Sequence, residues 1–299
     1  MIHIADVSFS YSEQLALSKI DLSISAGDFL VVFGADNAGK TTLLHILMGF
    51  ITNYQGTAEV FSKNPNDLTS EEQNWVRYVP DDIIWEQITA SEYFAAWQER
   101  TPEYDYEWQE DLCEAFAISP DVSLMNMTYN ENKSVQLTAA ICAKPDLLIL
   151  DEPANFLDEK NYAFLLKALK RLNELGTTIL LAAEKYADAK GYCYRYAYLK
   201  EGMLKECGDV PYPDQRPKVI LVSGGNKTYL ERNMSGVIEN AFVKDEYFEA
   251  GYARSAYIYH GEMEHLPDLL HRAACRDFCI EEMTFEEEID MDLSRWSYE

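Results

Sequence analysis

The feature that most constrains this chain is a glycine-containing loop between two apolar segments. An apolar run over residues 29–33 leads into the loop of residues 34–42, which has the spacing G-x-x-x-x-G-K-T, and helical spacing follows. Gly39 permits a tight turn whose backbone N–H groups point at one anion. Lys40 adds a charge for the outer phosphates of a nucleotide, and Thr41 a hydroxyl for Mg²⁺. The sequence predicts a strand, a phosphate-binding loop and a helix; an ordinary glycine turn is the alternative.

A second apolar run, residues 147–150, ends in two carboxylates, Asp151 and Glu152. A continuous apolar run is typical of a strand buried on both faces, and residues 177–183 form another. Because predicted strands alternate with helices, we predict a mostly parallel α/β sheet, which binds ligands at the carboxyl ends of its strands. We therefore expect both acids at the ligand-binding edge, whereas the alternative is a solvated acid pair.

The remaining segments divide the chain into domains. Alternating polar and apolar residues near the N-terminus predict an antiparallel edge sheet, and residues 86–143 are helical and rich in aromatic side chains, as in an inserted subdomain. The proline-rich residues 211–217 predict a stiff linker. We therefore expect an α/β nucleotide-binding domain over residues 1–210 and a small α+β domain over residues 218–299.

The net charge of the chain restricts the classes of partner that it can bind directly. With 51 acidic against 25 basic residues, the formal net charge is −26. Such a surface repels nucleic acid and anionic lipid, which argues against both as direct partners. It would suit the basic cytoplasmic loops of a membrane protein. No apolar run approaches the roughly 20 residues that span a bilayer, and the N-terminus lacks a signal-peptide pattern, so we expect a cytoplasmic protein.

Three segments together resemble the ATP-binding subunit of an ATP-binding cassette (ABC) transporter. They are residues 34–42, 147–153 and 154–158, and the resemblance covers about residues 1–210. It implies a P-loop NTPase fold with ATP and Mg²⁺ as cofactors. The segment over residues 218–299 is similar to the small C-terminal domains of bacterial drug and peptide exporter subunits.

The resemblance also implies roles for individual residues. Tyr11 would stack on adenine, although the sequence alone favours a packing role. Asp151 and Thr41 would hold Mg²⁺, Glu152 would orient and deprotonate the attacking water, and Asp158 would lie at a dimer interface; these roles fit phosphoryl transfer. The nucleotide would contact Gly34, Asn37, Ala38, Gly39, Lys40, Thr41, Thr42, Asp81 and Glu184, with Lys40 and Glu152 acting in catalysis.

Three positions depart from the family's pattern, and all concern the γ-phosphate. Asp81 stands where a glutamine usually follows Tyr-x-Pro, and Glu184 stands where a histidine is expected. The signature Leu-Ser-Gly-Gly-Gln is replaced by Met-Thr-Tyr-Asn-Glu at residues 127–131, whose side chains crowd backbone that two glycines leave open. An ionised carboxylate about 4 Å from a phosphate oxygen costs on the order of 4 kcal/mol at an effective dielectric of 20. We therefore expect ATP and Mg²⁺ to bind and turnover to be slow.

Two functions fit these features. The first is an ATP-hydrolysing subunit of an ABC exporter, which dimerises with a second ATP-binding subunit, identical or not, on a membrane permease at the inner face of the cell membrane. The second is a non-catalytic or very slow regulatory subunit of a heterodimeric ABC assembly. Glu152 favours the first, because a site without hydrolysis has no evident use for a general base. A free-standing P-loop enzyme such as a kinase is disfavoured, since no acceptor-binding motif is visible.

Overall fold

The computed structural model of the protein describes residues 1–189, 191–209, 218–239, 254–259 and 263–282. The chain divides into two units, Met1–Val210 and Pro211–Glu299. The predicted linker, residues 211–217, lies outside the described residues. Within the described ranges, every helix is too short or too polar to cross a bilayer.

The first unit contains nine strands and six α-helices among its described residues. The strands are β1 (Ile2–Tyr11), β2 (Gln14–Ile24), β3 (Phe29–Phe33), β4 (Gln55–Val60), β5 (Val76–Val79), β6 (Leu147–Asp151), β7 (Thr178–Ala183), β8 (Arg195–Lys200) and β9 (Met203–Asp209). The helices are α1 (Lys40–Leu47), α2 (Ser70–Gln73), α3 (Ala90–Gln98), α4 (Tyr106–Ala115), α5 (Tyr129–Cys142) and α6 (Glu159–Glu174).

A six-stranded sheet of order β5-β6-β7-β3-β8-β9 forms the centre of this unit. All neighbouring strands are parallel except β8 and β9, which are antiparallel. Every residue of β3, β6 and β7 is buried, as expected of apolar strands covered on both faces. The parallel order brings the carboxyl ends of these three strands to one edge of the sheet.

A separate antiparallel sheet, of order β2-β1-β4, packs with the central sheet through a shared core. Ile4 of β1, Leu44 of α1 and Val32 of β3 belong to the same buried cluster. Each buried aliphatic side chain of this kind contributes about 1.5–3 kcal/mol relative to exposure. This core fixes the helix after the phosphate loop between the two sheets.

The predicted helical segment of residues 86–143 contains α3, α4 and α5. Asp105 caps α4, because its Oδ1 accepts from the Trp108 N–H at 2.9 Å. Its Oδ2 pairs with the Lys144 ammonium at 2.7 Å. The Arg171 guanidinium of α6 lies over the Trp108 ring, 4.5 Å from its centre, and joins these helices to the α/β core.

The second unit has the order of elements β-α-β-β-α-β. They are β10 (Lys218–Ser223), α7 (Lys227–Asn233), β11 (Ser235–Glu239), β12 (Arg254–Tyr259), α8 (Leu266–Arg272) and β13 (Asp277–Glu282). The antiparallel sheet has the order β11-β12-β10-β13, which is the ferredoxin-like arrangement. Ile220, Tyr257, Leu230 and Leu270 pack the sheet against its helices. The α+β architecture expected for this segment is present.

We expect the capping and pairing roles of Asp105 to be separable. Asp105→Ala removes both and should cost about 1–2 kcal/mol of unfolding free energy, whereas Asp105→Asn keeps a capping oxygen and should cost less than about 1 kcal/mol. The Lys144 ammonium, together with the Trp108 N–H, holds the pKa of Asp105 below its usual range. The ion pair therefore stabilises the fold at neutral pH, and this contribution disappears as pH falls through the folded-state pKa. Urea denaturation at pH 7 and at acid pH measures this; equal losses for the two variants would contradict it.

Candidate functional site

The loop after β3 passes so close to other backbone that two of its positions require glycine. A Cβ at Gly34 would lie 2.1 Å from the Leu199 carbonyl oxygen. Gly39, with φ of 104°, stands before the first residue of α1, and a Cβ there would lie 2.6 Å from the Ala16 oxygen. Any side chain at either position would displace backbone. The tight turn predicted from the motif is therefore present.

The Lys40 ammonium lies inside this loop rather than in the apolar core. It donates to the carbonyl oxygens of Gly34 at 2.6 Å and Ala35 at 3.1 Å. It also forms an ion pair with Glu152 Oε1 at 3.0 Å, and the residue is only 4% exposed. The structure thus joins the two residues that the resemblance assigned to catalysis.

A cleft of about 250 Å³ opens beside the loop. It is lined by residues 37–42, by Glu152, and by Tyr11, Gln14 and Leu15 from the antiparallel sheet. The Tyr11 ring is half exposed and contacts the Phe9 ring edge to face, with 4.8 Å between ring centres. An aromatic ring beside a phosphate loop suits a nucleotide base, since base–aromatic stacking contributes about 1–3 kcal/mol.

Asp151 lies at the carboxyl end of β6, and one of its two carboxylate oxygens has no hydrogen-bond partner. The Tyr78 hydroxyl donates to Oδ2 at 3.2 Å, whereas Oδ1 is buried and has no hydrogen-bond partner. Burial raises the pKa of Asp151, and the Thr41 and Tyr78 hydroxyls act in the opposite direction. A buried carboxylate with an unpartnered oxygen beside a hydroxyl fits a hard divalent cation.

The described residues contain no group of three or more His, Cys, Asp or Glu side chains that could hold a metal ion. The donor set at Asp151 and Thr41 is therefore small. Mg²⁺ accepts such a site, because it keeps several waters and is bound by one or two carboxylates together with substrate phosphates.

One amide connects the two remaining acids of this edge. The Asn155 Nδ2 donates to Asp81 Oδ2 and to Glu152 Oε2, each at 3.1 Å. Glu152 itself has left-handed backbone, with φ of 42°, a conformation that costs of order 1–3 kcal/mol and clusters at functional sites. Burial raises the pKa of Asp81, although the Asn155 hydrogen bond and the Lys133 charge oppose it. Asn155 is a site residue that the sequence did not predict.

Lys133 of α5 is a second buried ammonium near this edge, also missed from the sequence. It is fully buried and donates to the carbonyl oxygens of Pro80 and Asp82, the latter at 3.4 Å. Its ammonium also lies 5.6 Å from the centre of the Phe156 ring. Burial lowers the pKa of Lys133 to about 8, although neighbouring Asp81 favours the charged form. Lys133 therefore ties the segment around residue 81 to α5.

The segment that replaces the family signature begins α5, and its own side chains cover the start of the helix. Thr128 is the N-cap, and Glu131 Oε2 accepts from the Thr128 N–H at 2.9 Å and from its hydroxyl at 2.8 Å. The Asn130 Nδ2 donates to Asp158 Oδ2 at 2.6 Å. The Tyr129 ring is 54% exposed. A carboxylate and a ring thus stand where the family has neutral glutamine and glycine.

Four predicted site residues do not line the cleft: Gly34 and Asp151, whose contacts are given above, and Glu184 and Asp81. Glu184 follows β7, with its side chain 52% exposed and 3.9 Å from the Lys185 ammonium. Asp81 contacts Asn155 rather than the loop. Neither residue lines the cleft beside Lys40. Their predicted roles at the γ-phosphate remain predictions.

Comparisons with known proteins point to one family. Residues 17–155 match the family model described as ABC transporter. The chain is 26% identical over 253 residues to the Fe(3+) ions import ATP-binding protein FbpC of Fusobacterium nucleatum, which covers 79% of this chain and 66% of that protein. It is 27% identical over 225 residues to the methionine import ATP-binding protein MetN of Clostridium acetobutylicum, covering 70% and 69%. The chain thus spans about two thirds of the length of these relatives.

A solved structure shows the same fold. A dimeric ATP-binding cassette in a post-hydrolysis state, bound to ADP and Pi, aligns with a TM-score of 0.60 and 20% identity over 71% of this chain and 100% of that one. The predicted α/β fold of P-loop NTPase type, with its mostly parallel sheet, is confirmed.

Because Lys133 is buried, we expect its titration to change the free energy of unfolding at alkaline pH. The lowered folded-state pKa lies below the ordinary value near 10.4. Between about pH 8 and pH 10 the unfolded chain therefore binds more protons than the folded chain. As pH rises through this range, the free energy of unfolding of wild type should increase relative to that of Lys133→Met, by about 3 kcal/mol at most. Urea denaturation of both proteins at several pH values measures this. Lys170→Met, which removes an exposed lysine from α6, controls for net charge. Parallel pH profiles for wild type and Lys133→Met would contradict the expectation.

Proposed function

Since this chain carries the ATP-binding domain of the ABC transporter family, we propose that it is the ATP-binding and ATP-hydrolysing subunit of an ABC transporter. One observation carries the proposal. The Lys40 ammonium is held between the carbonyl oxygens of the glycine loop and Glu152, beside a cleft with an aromatic wall. This arrangement supports a site for the outer phosphates beside the Lys40 ammonium and a general-base candidate, Glu152.

Asp151 and Thr41 would hold Mg²⁺. The unpartnered Oδ1 of Asp151 and the hydroxyl chemistry of Thr41 supply the protein ligands that this ion takes in phosphoryl-transfer sites. Mg²⁺, when bound, neutralises charge on the phosphate oxygens. Lys40 adds a second positive charge at the same phosphates, because its flexible side chain can exchange loop carbonyls for phosphate oxygens.

Glu152 would act as the general base for water. Its Oε2 accepts from Asn155 and its Oε1 pairs with Lys40, so that both oxygens have fixed positions. A carboxylate held in this way can orient a water molecule and accept its proton when Lys40 turns to the phosphates. The strained backbone at Glu152 keeps the side chain at the carboxyl end of β6.

In the proposed assembly the chain dimerises with a second ATP-binding subunit, identical or not, on a membrane permease at the cytoplasmic face. The dimeric state of the structural neighbour supports the dimer, and a formal charge of −26 suits the basic loops of a permease. The two sequence relatives are named as import proteins. Export is proposed only from the resemblance of residues 218–299, and part of that segment lies outside the described residues.

A second candidate is a slow or non-catalytic regulatory subunit of a heterodimeric ABC assembly. The start of α5 favours it, because Glu131 places a carboxylate over the helix N-terminus, where the helix dipole otherwise favours an anion. Tyr129 and Asn130 add bulk at the same place. Slow turnover is therefore part of our proposal for this chain.

Substitution of the proposed general base separates the two candidates. Glu152→Gln keeps the size and hydrogen-bonding capacity of the side chain and removes its basicity, so ATP hydrolysis should fall by about 10²-fold or more while ATP binding persists. The measurements are phosphate release and fluorescence titration with an ATP analogue. Equal and negligible release from wild type and variant would favour the regulatory candidate. Failure of wild type to bind Mg-ATP would refute both.

Turnover should increase when Glu184 is replaced by the histidine that the family pattern expects. A regained charge-assisted hydrogen bond of about 1.5–3 kcal/mol corresponds to a rate increase of about 10- to 100-fold. Glu184→Gln removes only the negative charge, and we expect a smaller increase. Phosphate release at saturating ATP measures both variants. Unchanged rates in both would show that Glu184 does not limit hydrolysis.

A further inference from the structure

A chain of hydrogen bonds joins three separate elements behind the predicted Mg²⁺ ligand. The His45 Nε2 on α1 lies 3.3 Å from the Tyr78 hydroxyl oxygen on β5. The same hydroxyl donates to Asp151 Oδ2 on β6 at 3.2 Å. These residues are far apart along the chain, and no sequence pattern connects them. Neither His45 nor Tyr78 lines the cleft.

The chemistry of the three groups fixes the direction of this chain. The Tyr78 hydroxyl lies within hydrogen-bond distance of Asp151 Oδ2, and a phenol carries its proton at neutral pH. A phenol has one proton, and an ionised carboxylate can only accept. The Tyr78 O–H therefore points to Asp151. Its oxygen must then accept from His45, so the hydrogen of this contact is carried by Nε2.

Ring packing restricts the movement of the donor. The rings of His45, Phe50 and Tyr78 contact one another edge to face, with centres 5.5, 5.8 and 6.0 Å apart. Such contacts contribute about 0.5–1.5 kcal/mol each beyond burial. The phenol is thus held in one orientation toward the carboxylate.

We propose that Tyr78, oriented by His45, is a positioning residue that assigns different tasks to the two oxygens of Asp151. The hydroxyl occupies Oδ2, so the unpartnered Oδ1 is the oxygen presented to the cation. Partners of this kind fix the orientation of metal-ligating side chains. The inference rests on the proposed function, because it assumes that Asp151 holds Mg²⁺.

Tyr78→Phe tests the proposal, because it removes the donor and keeps the ring. The measured quantities are the affinity for a fluorescent, non-hydrolysable ATP analogue in EDTA, and the Mg²⁺ concentration that gives half of the metal-dependent gain in affinity. We expect the second to rise about tenfold or more, in line with the effects of losing such a partner. The affinity in EDTA should stay within about twofold of wild type. A merely structural tyrosine would alter the melting temperature without altering the Mg²⁺ requirement.

Three further variants make the test specific. Tyr196→Phe is the matched control, since the Tyr196 hydroxyl donates to Glu206 Oε1 at 2.8 Å and does not line the cleft; it should not change the Mg²⁺ requirement. His45→Gln keeps an N–H donor and should resemble wild type, whereas His45→Leu should shift in the direction of Tyr78→Phe.

The outcomes separate this inference from the function on which it rests. A Tyr78→Phe protein with the Mg²⁺ requirement of wild type overturns the inference and leaves the proposed function intact. If Mg²⁺ leaves the affinity of wild type for the analogue at its value in EDTA, the inference and the proposed Mg²⁺ site at Asp151 are both refuted, whereas nucleotide binding stands. A wild-type protein that binds no analogue under either condition refutes the proposed function and the inference together.

Discussion

The parallel register of β6, β7 and β3 is the constraint on which the site depends. Asp151 is paired with Ala182, and the N–H groups of Glu152 and Gly34 donate to the carbonyl oxygens of residues 182 and 183 at 3.1 and 3.3 Å. Strands β3 and β6, which are far apart in sequence, therefore both end opposite residues 182–183 of β7. Because both are anchored by backbone hydrogen bonds, the 3.0 Å contact between Lys40 and Glu152 follows from the sheet itself. Side chains then refine a position that the backbone has already fixed.

The elements predicted from sequence are those whose burial follows a simple pattern, either continuous, as in β3, or alternating, as in β1 and β2. Strands β3, β6 and β7 are apolar throughout because both faces are covered, and a continuous run is an unmistakable signal. Strands β8 and β9 were not predicted. Most residues of β9 are exposed at the edge of the sheet, and Arg195 and Lys200 begin and end β8, so neither strand carries a strong pattern. In the second unit, β13 is likewise an edge strand with acidic residues.

Site residues that belong to one sequence motif could be predicted. Contacts between residues that are far apart in sequence could not. The loop glycines and Lys40 belong to one turn, so their geometry follows from their order. Asn155 touches Asp81 across a gap of many residues, and only the fold brings them together. Lys133 carried a weak signal, because a lysine in a helix of mostly buried residues needs a partner. For Glu184, the repulsion expected at 4 Å from phosphate assumed an inward side chain, whereas the structure has it half exposed.

The balance of charges at this edge supports the proposed cation site. Asp81, Asp151 and Glu152 bring three carboxylates against the two ammonium groups of Lys40 and Lys133. A triphosphate adds further negative charge, and at an effective dielectric of 20 each unit pair about 4 Å apart repels by about 4 kcal/mol. Both ammonium groups donate to backbone carbonyls, and two positive charges do not balance three carboxylates together with a triphosphate. The proposed divalent cation at Asp151 would reconcile an acidic edge with an anionic nucleotide.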